Sequence, residues 1–228
     1  IAGYTVVDVP TVVSTHLTEI IKSQAPEFLG RQDVQKLLDK VAENDPKIIE
    51  ELIPDLLGLG TIQRVLQNLL RENVSIRDMN TILETMADIA QYTKMPDILT
   101  EHVREALSRN ISRQYQTDDG TIPVMTLDQA IENTIAQSIQ ETGQGSYLGI
   151  DPVSGEAIIT AIENSLETFS MFNYQPLVLC SPVVRPHLKR LTERAVSNLV
   201  VLSHNEISPD VRIESLGFIS LDELAEAG

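Results

Sequence analysis

The chain has a single cysteine, no tryptophan and only 4% aromatic residues, and each scarcity removes a class of function. One thiol, Cys180, excludes an intramolecular disulfide and a cysteine metal cluster, which fits a reducing, cytoplasmic environment. So few aromatics leave no stacking platform for single-stranded nucleic acid. Cations are scarce as well. Against 33 Asp and Glu stand 17 Lys and Arg, a formal charge of -16, which repels phosphate backbones and anionic lipid. Neither nucleic acid nor a membrane surface is an expected partner. No apolar run approaches the roughly 20 residues of a membrane helix, and Ile1-Ala2-Gly3 lacks the basic stretch that opens a signal peptide.

What is present is enough for a real core. The 228 residues, 42% hydrophobic and 22% charged, predict one large or two small globular domains. Charge is uneven: residues 1–110 carry 11 basic and 17 acidic groups, residues 111–228 carry 6 and 16.

The first half reads as helix after helix. Val34, Leu37, Leu38 and Val41 form one apolar stripe in a helix opening near Arg31. Asp45-Pro46 starts a short helix that Pro54 should kink or end. Ile62, Val65, Leu66, Leu69 and Leu70 repeat the stripe after the Gly58–Gly60 turn. Ser75 with Asp78 predicts a capping box for the helix carrying Met79, Ile82, Leu83 and Met86. Pro96 opens a further helix, read as continuous through Ile111. The expected unit is compact and all-helical.

After Tyr115 the pattern changes. Asp118-Asp119-Gly120 is a turn, Ile122–Leu127 a short strand, and Thr126 with Gln129 predicts a capping box for the next helix. Gly143–Gly149 reads as a glycine-rich connection, and Asp151-Pro152 caps a long helix. Leu177–Cys180 and Leu199–Leu202 are buried-strand runs with a helix restarting at Ser181-Pro182 between them, and Val211–Ile219 a last strand. The fold class expected is therefore α+β with several subdomains: a helical subdomain, then a small α/β subdomain with a mixed sheet.

A search for chemistry finds no reaction. His16, His102, His187 and His204 do not pair at metal-ligand spacing. Gly58-Leu59-Gly60 lacks the third glycine of a dinucleotide loop and the Gly-Lys-Ser/Thr of a P-loop. Glu50-Glu51 point apart on a helix, and Asp118-Asp119 sit in a turn. Cys180, at a strand end beside Ser181-Pro182, has the setting of an activated thiol, with plain burial as the alternative. No catalytic residue, cofactor or metal site is expected.

Three stretches are more specific. They are Gly3-Tyr4-Thr5-Val6-Val7-Asp8 with Thr11–Leu17, Leu29–Asp39 with Pro46–Pro54, and Val65–Glu72 running into Val74–Met79 and Thr81–Thr85. Together they resemble the FlhA family, the largest membrane component of the flagellar export gate, whose relatives serve virulence injectisomes. A looser likeness continues through Val103–Arg109, Leu179–Pro182, Val200–Ser203 and Glu206-Ile207.

The resemblance implies a piece of a longer membrane protein, lying on the cytoplasmic side of the bacterial inner membrane. Residues 1–25 would be the last strand and helix of the first cytoplasmic subdomain, 26–110 the helical subdomain, 111–220 the α/β subdomain and 221–228 an acidic tail. It also implies a non-catalytic scaffold that docks export chaperone–substrate complexes and meets other export-apparatus proteins, including the ATPase complex. Self-assembly into a ring of nine is implied too, with no direct membrane contact by this stretch. Two residues carry contact roles under that reading. Thr11 matches a position implicated in chaperone docking, although Asp8 and Pro10 nearby equally fit a plain helix start. Arg77 is a candidate subunit contact, with a charge-decorated helix start as its alternative. An injectisome homologue and a generic helical adaptor are the competing functions.

Overall fold

In the computed structural model, residues 8–143 and 145–221 are described, with the backbone alone for Glu19 and Ser23. The strand expected ahead of the first helix and the acidic tail fall at residues 1–7 and 222–228, outside the described residues. Two compact units are present, Ile1–Val103 and Arg104–Gly228.

The helical unit begins with α1 (Val9–Phe28), α2 (Arg31–Ala42) and α3 (Pro46–Glu51). The chain continues through a π-type turn, Leu52–Leu56, that contains Pro54 and an extended Ile53. Proline lacks the N–H that a continuing helix requires, so the expected break occurs there. Then come α4 (Leu59–Arg71), α5 (Met79–Ala90) and α6 (Pro96–Ala106), whose last three residues belong to the second unit. On the α4 stripe Leu70, at the edge, is half-buried, and Ile62, Val65, Leu66 and Leu69 have 0% exposure. Each such side chain contributes about 1.5–3 kcal/mol. The end of α1 also meets α4, where Gln67 donates to the Pro26 and Leu29 carbonyls and Gln63 to Leu29. These carbonyls lie where a helix end leaves acceptors without intrahelical donors.

Between α4 and α5 the capping differs from expectation. Asn73 takes a left-handed conformation, φ 57°, while its N–H donates to Leu70 O and that of Val74 to Leu69 O. This double bond closes α4 as a Schellman motif. The N-cap of α5 is Asp78, which accepts from the Thr81 N–H. Ser75 is instead bound by the Arg77 N–H, 3.4 Å away. Asp78 wins because it directly precedes the first helical residue.

The α/β unit contains the end of α6, α7 (Ser108–Tyr115), β1 (Thr121–Leu127), α8 (Gln129–Gln137), β2 (Ile139–Thr142), β3 (Gly145–Leu148), α9 (Pro152–Phe172), β4 (Leu177–Cys180), α10 (Arg185–Thr192), β5 (Val200–Ser203) and β6 (Arg212–Ile219). Four strands form a sheet of order β5-β4-β1-β6, all parallel. The antiparallel pairing lies in a separate ribbon, β2-β3. That ribbon occupies most of the glycine-rich stretch expected to be a connection. The helix read through Ile111 breaks at Leu107, and the helix expected at Ser181 begins at Arg185.

The core of this unit gathers Met125 and Leu127 of β1, Val178 and Cys180 of β4, and Val201 of β5 against α8, α9 and α10. Residues of opposite parity, Val124, Leu179 and Leu202, are buried as well, as a parallel sheet covered on both faces requires. Asp151 caps α9 as expected, accepting from the Ser154 N–H. The cap of α8 is Asp128 rather than Thr126, which lies in β1. A register shift in the β1–β6 ladder between Val124 and Met125 coincides with Gly217, φ 143°. A Cβ there would stand 3.3 Å from the Met125 methyl, so glycine suits both the backbone and the space.

Candidate interaction surfaces

Thr11 lies in the first turn of α1 and is exposed. Asp8 holds the N-cap position with extended backbone, yet its side chain makes no capping hydrogen bond. Around Thr11 runs an apolar stripe at helical spacing. Val9, Val12, Val13, Leu17, Ile20 and Ile21 are 45–75% exposed. His16 is exposed on the same helix. A stripe of this kind is what a partner surface or a missing layer of core would cover.

Arg77 is also exposed, on the loop between the Schellman closure of α4 and the cap of α5. Its guanidinium makes no hydrogen bond or ion pair among the described residues. Neither it nor Thr11 is tied to the other by such a bond.

The chemical rivals fare differently. Cys180 is fully buried in the α/β core, with Sγ 3.7 Å from the Leu202 carbonyl. His187 is buried on α10, where Nε2 lies 3.3 Å from Ser146 Oγ of β3. Asp118 and Asp119 sit on the exposed turn before β1. Hydrogen bonds from the Thr117 hydroxyl, then from the Thr121 N–H and hydroxyl, hold the Asp119 carboxyl below the usual aspartate range. Among the described residues no group of three or more His, Cys, Asp or Glu is placed to hold a metal ion, and no helix is long and apolar enough to cross a membrane.

One polar cluster escaped the sequence reading. Arg104 Nε donates to Glu206 Oε1 with both side chains 2% exposed. The other carboxylate oxygen accepts from the Ser203 N–H at 2.6 Å. The Ser112 hydroxyl donates to the Glu206 carbonyl and accepts from the Ser208 N–H. Glu206 closes a capping box with Ser203 around the short 3-10 turn His204–Glu206. The spacing Ser203-x-x-Glu206 was a legible signal for the cap. Nothing in the sequence announced Arg104, 102 residues away.

A helical unit together with a parallel four-stranded α/β unit is the fold of the cytoplasmic domains of type III export-gate proteins. The nonameric EPEC SctV-C aligns with a TM-score of 0.80 at 32% identity, over 91% of this chain and 62% of that one. CdsV in the Chlamydia pneumoniae CdsV–CdsO complex aligns with a TM-score of 0.83 at 30% identity, over 96% of this chain and 64% of that one. Residues 1–212 match the FHIPEP family, and the chain belongs to that family. The flagellar biosynthesis protein FlhA of Bacillus subtilis is 41% identical over 219 residues, which are 96% of this chain and 32% of that protein. The chain thus spans about a third of the length of the curated relatives it matches.

Proposed function

We propose that this chain serves in the cytoplasmic part of a flagellar FlhA-type export gate, as a non-catalytic scaffold for ring assembly and chaperone–substrate docking. One observation carries the reading: both units align with the nonameric SctV-C over 91% of the chain. The higher identity to a flagellar relative, 41% against 30–32% for CdsV and SctV-C, supports flagellar rather than injectisome service.

In this reading residues 1–25 close the first cytoplasmic subdomain, 26–110 are the helical spacer and 111–220 the second rigid body. The exposed stripe on α1 supports the first assignment, because Val12, Val13, Leu17 and Ile21 have the spacing of a core face without the core. Thr11, beside that stripe, contributes an edge of the chaperone-docking surface. Arg77 contacts the neighbouring subunit, its planar fork suited to a carboxylate across the interface. The partners are the export chaperones with their cargo, further export-apparatus proteins including the ATPase complex, and other copies of the same protein.

A chimera tests this. The matched segment of Bacillus subtilis FlhA is replaced by this chain, and swimming motility, chaperone pull-down and ring formation by electron microscopy are measured. Restored motility with nine-membered particles is expected, with rings weakened by Arg77→Ala. A stably expressed chimera that forms no rings, binds no chaperone and leaves cells non-motile would overturn the proposal.

A further inference from the structure

The α/β unit contains a cavity of about 350 Å³ near the start of β1 and β4, lined by residues of both loops that enter those strands. Its buried lining residues are Pro123 and Leu177, and Tyr115 and Tyr174 are half-buried beside them. The remaining lining side chains are uncharged amides and a threonine. Two of the amides are held in place, Gln116 by donating to Gly120 O and Gln175 by donating to Asn198 O. Asn173, left-handed at φ 56°, closes α9 with the same double bond seen at α4 and so positions Tyr174. Space, aromatic rings and fixed polar groups are the ingredients of a recognition pocket, at the small end of the usual size range.

Two features outside the cavity narrow what fits. Met171 and Phe172, 79% and 59% exposed, directly precede the lining residues, and Phe172 stacks on Tyr174 with ring centroids 5.8 Å apart. Exposed methionine and aromatic side chains in a row are unusual on a surface facing only water, and both residue types are enriched in binding interfaces. The second feature is charge. Thr117, on the lining, donates to the Asp119 carboxylate, and Asp118 adjoins it. Residues 110–128 and 165–184 together carry one basic residue, Arg113, against Asp118, Asp119, Asp128 and Glu167.

We infer that this pocket is a docking site for a short extended segment of a partner protein, with a proline or small aliphatic side chain in the cavity and lysine or arginine flanking it. The tyrosines supply faces for the apolar residue and for a cation, the methionine–phenylalanine shelf covers the next residue, and the Asp118–Asp119 turn selects basic flanks. Aromatic and amide side chains suit a polyproline-type backbone, which gives up little entropy on binding. Phosphorylated ligands are opposed by the same acidic corner. The proposal is independent of the export-gate reading.

The test is an NMR titration of the 228-residue chain with the peptide Lys-Lys-Pro-Leu-Pro-Lys-Lys, its Glu-Glu-Pro-Leu-Pro-Glu-Glu counterpart serving as the charge control. Saturable binding of the basic peptide is expected, with amide shifts concentrated at residues 114–117 and 173–177. Tyr174→Ala should abolish it, and Met171→Lys should weaken it about fivefold or more, as removal of a central contact does. Tyr92→Ala, a surface tyrosine of the other unit, should leave it unchanged. If Tyr174→Ala unfolds, Met171→Lys decides alone, because a side chain so exposed does not support the core. Equal binding of the acidic peptide, shifts elsewhere, no saturation by a few millimolar, or full binding by folded Met171→Lys would each overturn the proposal.

Discussion

Ten polar or charged side chains are buried among the described residues; nine belong to the α/β unit and one, Thr100, to the helical unit. The reason lies in how each unit satisfies its backbone. Helices satisfy most of their own N–H and C=O groups, so α2 to α6 meet largely through apolar faces, with Asn68 of α4 donating to Asp97 and Thr100 of α6 beside them. The sheet is less self-sufficient. Its last connection runs from β5 at one edge to β6 at the other through residues 204–211, and buried irregular backbone must borrow partners. Ser112 and Glu206 supply them, and Arg104 neutralises the carboxylate thereby buried. Both units are held by packing, and the α/β unit adds a buried ionic clamp.

Breaking the clamp should have the largest effect. Glu206→Ala leaves the Arg104 guanidinium buried without its carboxylate and should cost about 3–5 kcal/mol in urea unfolding. Replacing both charges, Arg104→Met with Glu206→Leu, should recover most of that loss. It should still fall about 1–3 kcal/mol short, since the Ser203 N–H loses its acceptor. A double variant no better than Glu206→Ala alone would show that the pair is not the source. In the helical unit the matching experiment is apolar. Leu66→Ala, at a side chain with 0% exposure, should cost about 3 kcal/mol through lost burial and a cavity.

The same contrast explains what the sequence could tell. On α4, apolar spacing identified the buried face: four of its five residues are fully covered and Leu70, at the edge, is half-buried. On α1 the same spacing runs along a face that stands open, since periodicity reports which side is apolar and not what covers it. Asp151 was legible as a cap because proline follows it; Ser75 misled because Asp78, another good cap, stands nearer the helix. The break at Leu107 was hidden since Leu107 and Ile111 are both buried and the stripe runs on across it. The β2–β3 ribbon was missed because Gln140, Glu141 and Thr142 are exposed and carry no apolar alternation. Of the candidate contacts, exposure of Thr11 and Arg77 fits their proposed roles. The Arg104–Glu206 clamp joins residues too distant in sequence for any local pattern.

Acid should act more on the α/β unit than on the helical one. Asp119, Asp151 and Asp210 are held below the ordinary aspartate range by hydrogen bonds from Thr117, Ser154 and Ser208, and in the helical unit Asp33 is so placed, bonded by Lys36. A carboxyl whose folded pKa is depressed adds stability that is complete above its unfolded value, about 3.9, and is lost as pH falls through the folded one. Stability attributable to these groups should therefore be flat from pH 7 to about 5 and decline below about 4. Amide exchange followed on that descent should rise first at the start of α9 and the turn before β1. Asp151→Asn should flatten the pH dependence at α9 alone. A decline that begins at α2 would reverse the comparison.

The smallest effect on stability is expected at Thr11, and its smallness is informative. A helix-capping threonine replaced by alanine loses about 1 kcal/mol. Thr11 sits instead within the first turn, exposed, while Asp8 occupies the cap position without a side-chain bond. Thr11→Ala should therefore change unfolding free energy by no more than about 0.5 kcal/mol. In the chimeric export gate the same substitution should lower chaperone pull-down, since the proposed role is contact rather than folding. Unchanged stability with reduced binding would assign Thr11 to a surface. Reduced stability with unchanged binding would return it to the helix start, and the open stripe on α1 would then have to find its partner without it.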